Sequence, residues 1–346
     1  MPKLDLLKPV ANLERLHPGF VALISSPGFA PARALMRDVW EEFVDRDGNF
    51  VEQFQTTGFD ARTWELFLFA FLWDDADAVF EWQEASPDFL VTVGGQRVAI
   101  EAVTANESTV SPVIIHPAEA DIDRIKQQDL YPIRLGSALY SKLQREYWKL
   151  PHIAGLPLVL AIQDFHEPGS LYHTGSSLSD YLYGRRGSWY FDPQGKLHIS
   201  EVPIAEHRAG EKVIPSGFFG LPGAENVSAV LFGNTGTISK FNRLGYLQGY
   251  RADIELTLIR RGLRYDHSPN TATPQPFAYT VGSDVAPPER WGQGLSVFHN
   301  PRASRPLPLG LLPCAYHYEE GGRLRSFLPE FHPLLSQTVI IMPKLE

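Results

Sequence analysis

The chain has 346 residues, 44% of them hydrophobic, enough to bury the core of one large domain or two ordinary ones, and it holds no apolar run long enough to span a bilayer. Its formal charge of −9 excludes a chain that coats nucleic acid through bulk electrostatics, although clustered carboxylates can still gather a divalent cation and local arginines can still touch phosphate. The single cysteine, Cys314, excludes an intramolecular disulfide framework and any cysteine-rich zinc module.

The first twenty residues lack the uninterrupted apolar core of a signal peptide, so the expected location is the cytoplasm. Residues 1–30 mix Pro, Gly and short apolar runs and read as an arm packed on the body. From Pro31 the pattern turns helical, with Leu35, Val39, Trp40 and Phe43 at three- and four-residue steps before Asp47-Gly48. Asp60 is the expected cap of a second helix, Ala61 to Trp73, whose Trp64, Leu66, Phe67, Leu68, Phe69, Phe71 and Leu72 leave almost no polar face. Such a helix is buried. Within it Glu65 is an anomaly, because a lone carboxylate among aromatics is costly to ionise without a cation or hydrogen-bond donors. Either it reaches solvent from the first turn, or it points to the place where other acids gather.

Val79 to Trp82 predicts a short strand within an acidic stretch whose Asp74, Asp75, Asp77, Glu81 and Glu84 read mostly as a solvated turn. In the stretch Ser86 to Asn106, two apolar runs flank Gly94-Gly95, a pair that tolerates positive φ and so predicts a β-hairpin. Side chains alternate along a strand, which sets Asp88 with Leu90 and Thr92, and Glu101 with Ala99 and Val103. Antiparallel pairing brings Asp88 and Glu101 to one end of the hairpin, a candidate metal site. Glu107 to Pro117 reads as a loop, Ala118 to Gln128 as a short helix, and Ile133 to Lys149 as a helix with Leu135, Leu139 and Leu143 on one stripe. Leu156 to Phe165 is a continuous apolar run of the kind that fills a strand buried on both faces.

After His166 short strands are expected at Trp189 to Phe191, Leu197 to Ile199, Val227 to Phe232 and Ile254 to Ile259, whereas proline-rich Gln275 to Pro313 is expected to cross the surface without regular structure. The division expected is an arm and helix over 1–56, a core over 57–165, and a β-rich extension over 166–346 that can pack on the core as one unit. Gly233 to Thr237 lacks the Gly-Lys-Ser/Thr ending of a phosphate loop and reads as a turn. Lys240 and Arg243 near it are candidate contacts to a nucleic-acid backbone, as are Arg185-Arg186 and Arg260-Arg261 with Arg264. No His-Glu-x-x-His, Gly-x-Ser-x-Gly or Gly-x-Gly-x-x-Gly pattern points to a zinc peptidase, a serine hydrolase or a dinucleotide site.

Glu65 in a helix, Pro87-Asp88 opening a strand and Glu101 in the next strand, in the order αβββαβ, resemble the PD-(D/E)xK nuclease-like superfamily over Thr57 to Phe165. The resemblance implies an α/β (α+β), restriction-endonuclease-like core with a mixed central sheet flanked by helices. It implies that Glu65, Asp88, Glu101 and the backbone carbonyl of Ala102 hold Mg²⁺ or Mn²⁺ for phosphodiester hydrolysis, in DNA more than RNA, in bacterial defence or DNA processing. It also implies a lysine two residues past Glu101, where Val103 stands. The chain also looks like uncharacterised bacterial proteins that share the WELFLF, PDFLV and VAIEAVTAN stretches. Members of the superfamily relocate the lysine to the following helix, and Lys142, near Gln144 and Tyr147, is the candidate here. A lysine at the edge of an amphipathic helix is usually just a solvated side chain. The alternative is therefore a nuclease-fold module that has lost catalysis and binds nucleic acid or a protein partner, and a homodimer is compatible with either reading.

Overall fold

Four helices form the first layer: α1 (Pro18–Ser25), α2 (Ala30–Glu42), α3 (Phe50–Gln55) and α4 (Phe59–Ala70). The computed structural model describes residues 3–106, 126–165 and 175–343. The loop expected over 107–117 and most of the helix expected over 118–128 lie outside the described residues. The expected N-terminal arm contains α1, which begins where His17 accepts the Gly19 N–H at 3.1 Å and Pro18 occupies the first turn. In α2, Leu35, Val39 and Trp40 are buried as their spacing predicts, but the helix stops at Glu42. Gly58, not Asp60, precedes α4; Asp60 lies in its first turn, and the helix widens into a π-type turn over Phe71–Asp75.

Downstream come β1 (Val79–Glu81), β2 (Phe89–Val93), β3 (Gln96–Asn106), α5 (Tyr131–Leu143) and β4 (Leu158–Phe165). The second half adds α6 (Ser176–Tyr183), β5 (Arg185–Phe191), β6 (Leu197–Pro203), β7 (Glu206–Ala209), β8 (Lys212–Pro215), β9 (Ala229–Gly233) and α7 (Ile238–Leu247). Six strands complete it: β10 (Thr257–Arg264), β11 (Gln275–Thr280), β12 (Leu295–His299), β13 (Ala315–Glu320), β14 (Arg323–Phe327) and β15 (Pro333–Ile341). One eight-stranded sheet runs in the order β1-β2-β3-β4-β9-β12-β13-β14. It is mixed, since β3/β4, β4/β9 and β12/β13 are parallel and the remaining pairs antiparallel. The fold is therefore mixed α/β.

Alternation along the strands divides the core. Val91, Val98, Ile100, Val159 and Leu231 meet α1–α4 and α7 on one face. Leu90, Ala99, Val103, Leu160, Ile162 and Val230 meet α5 and α6 on the other. With both faces covered, β4 takes apolar residues at each position from Leu158 to Ile162, which is why its pattern reads as a continuous run, and only its end carries the buried polar residues Gln163 and Asp164.

The expectation for Gln275 to Pro313 fails. That segment supplies β11 and also β12, whose five residues are all buried between β9 and β13. A five-residue strand buried on both faces has no alternation to reveal it, and the flanking prolines masked it. Strands from both halves of the chain thus share one sheet. Three smaller sheets stand apart, β11-β10-β15, β5-β6 and β7-β8. No helix among the described residues is long and apolar enough to cross a membrane.

Candidate active site

The hairpin turn falls at Gly94 and Gly95, with φ of 54° and 82° that only glycine adopts without strain. Its register pairs Phe89 with Ile100 and Leu90 with Ala99, so the next step sets Asp88 opposite Glu101. At that step the sheet changes. β1 reaches no further than Leu90 and β2 no further than Phe89, while β3 continues to Asn106 against β4 on its other edge. Asp88 takes up part of the edge that β2 leaves behind, its Oδ2 accepting the Ala102 N–H at 2.7 Å. The carbonyl of a strand residue leaves on the same side as its N–H, so the Ala102 oxygen shares this edge.

Glu101 is 5% exposed and fully engaged. Its Oε1 accepts from Lys142 Nζ at 2.5 Å and from the Tyr147 hydroxyl at 2.6 Å, and its Oε2 accepts the Asp88 N–H at 3.3 Å. Lys142 lies in the last turn of α5, on the edge of the apolar stripe that packs against the sheet. Burial, and then the bond to Glu101, push the Tyr147 hydroxyl pKa well up, so it remains a donor.

Glu65 does not reach solvent. It is 6% exposed and paired with Arg62 one turn earlier on α4. Arg62 is held in turn by Gln53 Oε1 at 2.8 Å from its Nε, and it lies over the Phe50 ring at 5.2 Å. Burial raises the Glu65 pKa, and Arg62 opposes the rise. Asp88 is shifted in the same direction: burial first, then the charges of Glu101 and Glu65, push it up to about 8, against the pull of the Ala102 N–H and Lys142. Arg46 steadies the approach to β2 by donating to the carbonyl of Asp88 at 2.7 Å.

A cleft of about 280 Å³ opens here, lined by Arg62, Glu65, Asp88, Ala102, Thr104 and Lys142, among others. Of the residues singled out in the sequence, Glu65, Asp88, Ala102 and Lys142 line it, and Glu101 is bonded to both Lys142 and Asp88 just beneath. The donor set of carboxylate and carbonyl oxygens suits a hard divalent cation, which would offset the burial and the neighbouring charges of Glu101 and Glu65 that raise the Asp88 pKa. As the side chains stand, the chain's own cations hold Glu65 and Glu101. Among the described residues no group of three or more His, Cys, Asp or Glu side chains is arranged to hold a metal ion.

Lys240 and Arg243 are not where a phosphate backbone could meet them. Both are buried, at 0% and 2% exposure, in an ion cluster around Glu289. Arg260 shares that burial. Arg185 and Arg186 are paired as well, with Glu201 and Glu319 and with Asp180. Of the acids around β1, Asp74, Asp77 and Glu84 are exposed, as a solvated turn requires, although Asp74 also accepts from the Trp291 indole at 2.9 Å and half-buried Asp75 from the Gly292 N–H at 2.6 Å. The Gly233 to Thr237 turn joins β9 to α7, and Gln163 of β4 grips both the N–H and the carbonyl of Gly236.

Sequence reading missed Arg62, although its place three residues before Glu65 on one helix face is a pairing signal. Thr104 was missed too, since nothing local distinguishes it. Against family models, curated proteins and solved structures, the chain has no match.

Proposed function

We propose that this chain is a metal-dependent nuclease of the PD-(D/E)xK kind, hydrolysing phosphodiester bonds in DNA rather than RNA with Mg²⁺ or Mn²⁺. The observation that carries the reading is the convergence of Glu65, Asp88 and Lys142 on one cleft over Glu101, from α4, the start of β2 and the end of α5. The order α4-β1-β2-β3-α5-β4, with β3 parallel to β4, supports a restriction-endonuclease-like core. A setting in bacterial defence or DNA processing rests on the resemblance alone.

Glu65, Asp88, Glu101 and the Ala102 carbonyl are the groups that would hold the cation. Bound there, it would supply Lewis acidity toward a phosphoryl oxygen and a lowered pKa for bound water. Asp88 would have to give up its proton to serve as a ligand. Lys142 stands in for the lysine absent at Val103, and its ammonium orients the attacking water or a phosphate oxygen. Tyr147 keeps Glu101 turned toward Lys142.

A second reading has its own observation. With Arg62 on Glu65 and Lys142 on Glu101, both acids are already neutralised within the chain, as a binding module without catalysis would require. Incubation with plasmid and single-stranded DNA plus Mg²⁺ or Mn²⁺, beside Asp88→Ala and Lys142→Ala, separates the two. The nuclease reading expects cleavage by the native chain alone, and a cation-dependent rise in melting temperature that Asp88→Ala abolishes. Nucleic-acid binding without cleavage favours the module. An equal thermal response in Asp88→Ala removes the metal site.

A further inference from the structure

Three cations and one carboxylate are sealed together where α7 meets β10. The side chains of Lys240 and Arg260 are fully buried, and those of Arg243 and Glu289 are 3% and 2% exposed. Glu289 lies 3.0 Å from Lys240, 2.8 Å from Arg243 and 3.2 Å from Arg260. Asp75, bonded to the Gly292 N–H, adds a second and weaker electrostatic partner for Lys240, but two carboxylates still do not neutralise three cations, and uncompensated charge is costly in a low dielectric. The crowding is felt at Lys240, whose pKa falls to about 7, first through burial and then, against Glu289, through Arg260 and Arg243. Arg260 also keeps one buried guanidinium nitrogen, Nη2, with no partner among the described residues. Buried N–H donors are seldom left unpaired.

A cleft of about 520 Å³ lies against this cluster. Gln293 belongs to both, lining the cleft while its side-chain oxygen accepts from Arg260 and its backbone carbonyl from Lys240. Phe331, another wall, has its ring 5.9 Å from the Arg260 guanidinium carbon and 5.8 Å from that of Arg264. Arg264 and Arg290 line the cleft, four prolines make it apolar, and Glu330 is the one acid in its lining. The positive charge thus faces the cleft from behind the wall and from the wall itself.

We propose that this cleft binds a small phosphate-bearing organic anion of about nucleotide size, with Arg264 and Arg290 on the phosphate and Phe331 against the flat part. Guanidinium groups match phosphate oxygens in pairs, and the cleft falls in the size range of small-molecule sites. None of its lining residues borders the carboxylate cleft, so the proposal stands apart from the nuclease reading.

The test is calorimetric titration of the intact chain at low salt with AMP, inorganic phosphate and adenosine. AMP is expected to bind saturably, phosphate saturably but more weakly, and adenosine not measurably. Arg264→Gln with Arg290→Gln is expected to weaken AMP about tenfold or more, the loss from at least one charge-assisted hydrogen bond. Arg290 is exposed, so Arg290→Gln alone tests the same contact without opening the buried cluster. No saturable heat with AMP, or equal AMP affinity in both variants, overturns the site. Phosphate binding as tightly as AMP overturns the assignment to an organic ligand.

Discussion

Asp88 and Glu101 face each other just before β2 begins, and Asp88 bonds the Ala102 N–H that a longer β2 would have paired. The proximity of the two carboxylates has a titration signature. Folded, Asp88 titrates near 8, against 3.8 ordinarily. Between these values the folded chain keeps a proton that the unfolded chain has released. The stability linked to it is therefore full below about pH 4 and is lost as pH rises through about 8. Asp88→Asn retains an oxygen for the Ala102 N–H and is expected to flatten this fall, raising the melting temperature at pH 8 by about 2 °C or more. Thermal melts from pH 5 to 8.5 check this; parallel curves for the two proteins would refute it.

The same proton opposes a cation. On the nuclease reading, Mg²⁺ affinity is expected to rise about tenfold per pH unit between pH 6 and 7, with about one proton released per cation bound. Calorimetry in buffers of different ionisation heat measures that proton directly, and a buffer-independent heat would count against Asp88 as a ligand.

Lys142 and Tyr147 share one oxygen of Glu101, yet their removal should differ. Lys142→Met leaves a buried carboxylate without its cation and is expected to cost about 1–3 kcal/mol, discounted for the partial exposure of Lys142, and to lower cleavage about a hundredfold. Tyr147→Phe removes a hydrogen bond only, at about 1.5–3 kcal/mol, and should lower cleavage less than about tenfold. Denaturant melts and plasmid nicking separate the effects. Equal losses of cleavage would deny Lys142 a role in the chemistry.

Arg62→Gln deprives Glu65 of its cation within an aromatic helix. The expected loss is about 3 kcal/mol, growing as pH rises because the Glu65 pKa climbs further when Arg62 no longer opposes it. Arg62→Gln combined with Glu65→Gln should recover most of it. An additive double mutant would show that the pair does not act together.

Gly236 sits where α4, β4 and α7 meet. A Cβ there would lie 2.5 Å from Trp64 Cε3 and 2.7 Å from Gln163 Oε1, so Gly236→Ala is expected to destabilise by about 1–3 kcal/mol. Denaturant unfolding of the variant checks this, and a neutral result would mean the turn can shift.

How much of this was legible depended on where each signal resides. The hairpin, its register and the opposition of Asp88 to Glu101 follow from a period of two about Gly94-Gly95, which is local. Burial of α4 follows from its composition. The positions of Lys240 and Arg243 do not, because burying a cation depends on a distant partner, Glu289, in a proline-rich segment that shows no periodicity. β12 was hidden for a related reason: LSVFH becomes a strand only because β9 and β13 stand on either side of it. Arg62 is readable from helix spacing, three residues before Glu65 on the same face.

The sheet order also governs when the protein can become whole. By residue 142 a ribosome has already made every acid of the cleft and its lysine, but β4 then waits for β9, and β9 for β12, over residues 229–233 and 295–299. Until those emerge, the growing chain presents the bare side of β4 as a template for other strands. Translation, chaperone capture and premature termination thus all bear on the same edge, and a product released early would carry the cleft's side chains without the sheet that holds them in place.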